Sequence, residues 1–121
     1  FELANRYDAC LKYEVKDVAD FVVEQNLFDA IGLFYTHFPP ELRSDFHQKI
    51  EQSLKKSGYI IFEGFHKNQK FYQSGGPKDE AFLFTTEELE NDFKNLTILL
   101  LEDKVIELDD GLYHQGKGHV V

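Results

Sequence analysis

The sequence predicts an α/β fold: a mostly parallel sheet with a carboxyl-terminal antiparallel hairpin. Three observations carry that prediction. Ala30 to Phe34, at the heart of the run FDAIGLFYTH, is apolar apart from Gly32 and lacks period-2 alternation, as expected of a parallel strand covered on both faces. A helical repeat follows it and leads at once into a second apolar strand at Tyr59. Near the end, Asp109-Asp110-Gly111 places strong turn chemistry between two stretches of strand character.

Taken in order, Leu11 to Val15 alternates Leu, Lys, Tyr, Glu, Val and predicts a short half-exposed strand that delivers Asp17 at its tip. Val18, Phe21 and Val22 stand at helical spacing for a turn or two before Gln25-Asn26 interrupts. The Phe28 strand comes next. Pro39-Pro40 then opens a helix in which Leu42, Phe46, Ile50 and Leu54 recur every fourth residue, placing Glu41, Arg43, Asp45, Lys49 and Glu51 mainly outside. Lys55 and Lys56 complement the carboxyl end of its dipole, and Gly58 is expected to close it in the left-handed conformation.

Tyr59 to Glu63 forms the next strand, so the order so far is strand, short helix, strand, long helix, strand, the signature of parallel crossover units. A polar loop from His66 to Glu80 carries Ser74-Gly75-Gly76-Pro77. Thr85 and Glu88 match a capping box ahead of a helix bearing Leu89 and Phe93. Leu96 to Leu101 and Val105 to Leu108 read as one long or bulged strand, and the stretch after Gly111 returns beside it to close the sheet edge.

Residues 1–121 read as a single domain, since the length suits one core and no repeat or interdomain linker interrupts it. Twelve Phe and six Tyr supply that core. A formal charge of −9 argues against binding nucleic acid through phosphate neutralisation. The lone Cys10, with no signal-like segment before it, predicts a reducing, cytoplasmic setting, and no stretch is long and apolar enough to span a membrane. No metal is expected, because the five histidines are scattered, one cysteine offers no CxxC pair, and HExxH is absent.

FDAIGLFYTHFPPELR, then SLKKSGYIIFEGF, SGGPKD and DDGLYHQGKGHVV resemble, in that order and over nearly the entire chain, the carboxyl-terminal part of class I S-adenosylmethionine-dependent methyltransferases. The likeness is to a small bacterial subfamily related to thiol- and tellurite-methylating enzymes. It implies a partial Rossmann-like sheet whose first two strands are missing, since no glycine-rich turn follows a strand and opens a helix; Gly75-Gly76 and Gly116-Lys117-Gly118 do neither. The implied consequence is an open apolar edge on the Phe28 strand, covered by a second copy in a homo-oligomer, by the Leu11 strand or by a separate amino-terminal segment.

The resemblance also implies roles. Asp17 and Val18 inherit the contacts to adenine, with Asp20 a competitor for the acid, and Phe34 and Tyr35 border the methionine part of S-adenosylmethionine. His37 and His114 are the candidate catalytic bases or acceptor contacts, and Arg43 and Tyr113, with Glu63 and His66, are candidates for the substrate edge. The acceptor is expected to be a thiol, chalcogen or similar small molecule, because FYTHFPP departs from the NPPY-type motif of amino-group methylation. The complete protein is expected to transfer methyl groups and this chain alone to be inactive with weak cofactor binding. The alternative is a non-catalytic interaction module that uses the partial sheet as a dimerisation surface.

Overall fold

A computed structural model describes residues 2–121. It contains three α-helices, α1 (Glu2–Arg6), α2 (Pro40–Ser53) and α3 (Thr86–Asp92), and four strands, β1 (Phe28–Phe34), β2 (Leu54–Glu63), β3 (Lys104–Asp109) and β4 (Gln115–Val120). Short 3₁₀ turns cover Val18–Asp20, Lys67–Phe71 and Glu80–Phe82. The molecule is thus mixed α/β, with β1 and β2 forming a parallel pair and β3 and β4 an antiparallel pair.

β1, α2 and β2 make one strand–helix–strand unit. Ile31 pairs with Ile60 and Leu33 with Phe62, so these alternate positions face the core with Ile50 of α2, Phe84, Leu89 and Phe93. The opposite face is bare: Phe34 is 58 % exposed, Tyr59 58 % and Ile61 56 %. Only one face of the pair is covered, in contrast to the two expected from the unalternating sequence.

β2 begins earlier than predicted, at Leu54, and its register against β1 shifts between Phe28 and Ala30. Ser57, with φ 67, takes the left-handed conformation that was expected of Gly58. Gly58 is needed for another reason: a Cβ there would stand 3.0 Å from Lys55 O and 3.1 Å from Asp29 O, where the two backbones nearly touch. Lys55 pairs with Asp29 at 2.8 Å, tying this bulge across the strands.

The two sheets meet where β2 ends. Gly64 and Val121 exchange both backbone hydrogen bonds, Phe65 bridges Val120 in antiparallel sense, and His66 N donates to His119 O at 2.9 Å. Across the molecule the order is therefore β1, β2, β4, β3. A second cluster of Phe65, Leu83, Leu108 and Val120 packs at this joint. Gly111, at φ +95, makes the predicted hairpin turn, and Asp110 N donates to His114 O.

The capping box is present in both directions, Thr85 Oγ1 accepting from Glu88 N and Glu88 Oε2 from Thr85 N. Among the described residues, one predicted strand and the first half of another do not form. Leu11 to Val15 lies outside the named strands, and Leu96 to Leu101 stays irregular, with Leu99 76 % and Leu100 77 % exposed. An open groove of about 670 Å³ separates that segment from residues 57–63 of β2. No helix among the described residues is long and apolar enough to cross a membrane.

Candidate functional site

Both strands of the parallel pair finish at one edge, and the chemistry concentrates there. Past the end of β1, Tyr35 takes φ 52, a left-handed conformation that costs a bulky residue about 1–3 kcal/mol and persists only when its surroundings hold it. Glu63 at the end of β2 does the holding. Tyr35 N donates to Glu63 O at 2.7 Å, and Tyr35 Oη donates to Glu63 Oε1 at 2.9 Å. Burial, then the hydrogen bond and charge of Glu63, push the Tyr35 phenol up to about 12. At neutral pH Tyr35 is a hydrogen-bond donor and not a base.

The next residue, Thr36, keeps its Oγ1 buried with no hydrogen-bond partner among the described residues. Buried hydroxyls are ordinarily satisfied, so strain and an orphaned polar atom adjoin at the carboxyl edge of a parallel strand, where open α/β sheets bind ligands.

Gly75 and Gly76 complete this edge at φ +102 and +87. A Cβ on Gly75 would lie 2.8 Å from Tyr113 O and within collision distance of the His114 ring, and one on Gly76 would lie 2.8 Å from Phe65 Cδ2. Phe65 in turn packs 4.9 Å from the Tyr35 ring and 6.2 Å from His114. Tyr35, Glu63, Thr36, Phe65 and His114 thus line one locality, closed by a loop that only glycine can thread.

The predicted site residues divide clearly. Tyr35 and His114 belong to this locality, and Phe34 stands beside it on the bare sheet face. Tyr113 is 85 % exposed. His37 is structural: Nδ1 lies 2.8 Å from Phe82 O, Nε2 accepts from Phe65 N at 3.4 Å, and its ring stacks on Phe65. That pattern fixes the neutral tautomer with its proton on Nδ1, leaving neither nitrogen for an acceptor.

Arg43, expected outside, is buried in the core; its Nη1 donates to Leu83 O at 3.2 Å, its charged head lies 3.7 Å from Asp92 and Glu88, and it covers the Phe84 ring. Asp17 caps its own turn by accepting from Ala19 N at 2.9 Å. The turn containing Val18 and Asp20 leads into Phe21, which packs on Phe46 of α2, so Asp17 and Val18 are carried by a turn against the helix instead of by the tip of a strand.

Thr36 escaped the sequence reading because nothing in a lone threonine signals an unpaired hydroxyl. Glu63 was legible as the last residue of an apolar run.

Burial holds His37 below its ordinary value of 6.5. The unfolded chain then takes up this proton more readily than the native one, so His37's contribution is present above about pH 6.5 and is lost as pH falls through its lower native value. The urea midpoint of the wild type is expected to fall from about pH 7.5 to 5.5, and His37→Gln to flatten that slope. Equal slopes in both proteins would count against a neutral, buried His37.

The chain matches no family model and no curated protein.

Proposed function

We propose that this chain is the carboxyl part of an S-adenosylmethionine-dependent methyltransferase domain acting on a small nucleophile such as a thiol or chalcogen. The observation that carries the reading is the carboxyl edge of the β1–β2 pair, where a strained Tyr35, clamped by Glu63, adjoins the unpartnered Thr36 hydroxyl. Methyl transfer is an in-line displacement at a sulfonium, which asks a protein for positioning and desolvation more than for a strong base. In this reading Tyr35 and Thr36 border the methyl group, and His114 meets the acceptor.

The strand order β1, β2, β4, β3 and the bare apolar face formed by Phe34, Tyr59 and Ile61 support the same reading, because parallel sheets are normally covered on both sides. The glycine-rich turn and ribose-binding acid would come from strands outside residues 1–121. S-adenosylmethionine bound to such a complete sheet would supply the methyl group.

Calorimetry tests this. The isolated chain is expected to bind S-adenosylmethionine more weakly than about 1 mM, and a longer product carrying the glycine-rich segment to bind about 100-fold or more tightly. A longer product that leaves affinity unchanged would sink the proposal. The bare face also fits a second reading, an interaction module without cofactor, for which sedimentation would show a stable dimer of the isolated chain.

A further inference from the structure

A separate cluster lies at the joint between the two sheets. The antiparallel bridge of Phe65 with Val120 makes His66 and His119 direct cross-strand neighbours. Such pairs project from one face with Cβ atoms about 4.5–5.5 Å apart, and the two imidazoles stack with centroids 4.4 Å apart at 26°. In the hairpin Val105 pairs with His119, so Asp103, two residues earlier, projects from that same face on the diagonal. Its Oδ2 reaches 2.6 Å from His119 Nε2. One ligand atom from each of the three lies within 4.8 Å of the others.

We propose that His66, His119 and Asp103 form a binding site for one divalent transition-metal ion of the zinc type. Two imidazoles and one carboxylate are the donor set of zinc and its first-row neighbours, whereas magnesium and calcium take oxygen ligands throughout. Three protein ligands leave a coordination position for water, and the half-exposed setting gives the ion access.

The scaffold beneath is fixed. Gln69, buried, accepts from His119 N at 2.7 Å through Oε1 and donates through Nε2 to Ser74 Oγ and Gly75 O. His66 Nδ1 accepts from Asn68 N at 3.0 Å without metal, so loading its Nε2 requires the proton to shift to Nδ1 and that contact to part. Parting that contact makes the site weaker than a closed structural one.

The inference is independent of methyl transfer. It is tested by titrating the full, tag-free chain with Co²⁺, read by visible absorption, and with Zn²⁺ by calorimetry. One equivalent is expected to bind, with Mg²⁺ in excess failing to compete. His66→Gln and Asp103→Asn, both away from the core, should each weaken Zn²⁺ binding by about tenfold or more, while metal-free thermal unfolding stays close to wild type. Absence of Zn²⁺ binding at about 1 mM, the range of a very weak ligand, or affinity unchanged in both variants, would overturn the site.

Discussion

Asp92→Ala is expected to destabilise the chain by about 3–5 kcal/mol, the range for removing one partner of a buried ionic group. Asp92 is the shared acceptor of two buried groups. Its Oδ2 lies 2.8 Å from His47 Nδ1 and 3.7 Å from Arg43 Nε, with the His47 side chain fully buried and that of Arg43 10 % exposed. His47 is enclosed by Phe62, Phe84 and Phe93, and its Nε2 already lacks a partner, so loss of Asp92 orphans the whole imidazole.

Arg43 retains Leu83 O and the Glu88 carboxylate 3.7 Å away, which places the result toward the lower end of the range. Asp92→Asn keeps an oxygen for His47 and should cost roughly half as much. Urea unfolding followed by circular dichroism measures both; an Asp92→Ala midpoint within about 0.3 M of wild type would show that the cluster contributes little.

Phe84→Ala is expected to cost about 3–5 kcal/mol from the cavity and lost burial alone. Phe84 is 0 % exposed and sits edge-on to Phe62 at 4.9 Å, near His37 at 5.2 Å, and under the Arg43 guanidinium, also at 5.2 Å. Its backbone bonds Phe65 O and Lys67 N at 3.0 Å, so the side chain is pinned at the seam of both clusters. Small domains hold only about 5–15 kcal/mol, and the variant should be largely unfolded at 37 °C.

Phe84→Leu, which preserves most of the volume, should lose about 1–2 kcal/mol by the same denaturation measurement. Because Phe84 and Asp92 share Arg43, the double variant should lose less than the sum of the singles. Strict additivity would mean that Arg43 does not couple them.

Much of the fold was legible because it rests on local chemistry. β1, the body of β2, the capping box and the Gly111 turn each follow from residues adjacent in sequence. The long helix starts where expected but ends at Ser53, short of Lys55 and Lys56, and its buried face is rotated from the one expected. Steps of four residues advance about 40° around a helix turning every 3.6 residues, so Leu42, Phe46, Ile50 and Leu54 cannot share one narrow face.

The buried face is Arg43, His47, Ile50 and Ser53, leaving Leu42 36 % exposed. Two polar residues displaced the apolar stripe because Asp92, far along the chain, satisfies them. No local pattern announces that partner. Leu11 to Val15 and the Leu96 to Leu101 half of the long predicted strand fail for a related reason: alternation or apolarity nominates a strand, but long-range pairing decides it. In the hairpin the pairing with β4 starts at Lys104, opposite Val120, and Leu96 to Leu101 lie outside that register.

At the carboxyl edge, the residues of the candidate site were nominated by position along strands, so their placement depends on whether each strand forms. Tyr35 follows β1 and Glu63 ends β2, as nominated. Asp17 was assigned to a strand that did not form, and His37 was judged by titration chemistry although packing had claimed both its nitrogens.

The reciprocal clasp between Gly64 and Val121 also sets a timetable for biosynthesis. At translation speeds of about 5–20 residues per second, several seconds separate the emergence of its two halves. Throughout that interval the segment after β2 holds an unpaired strand edge, the kind of exposure that invites misassembly in a nascent chain.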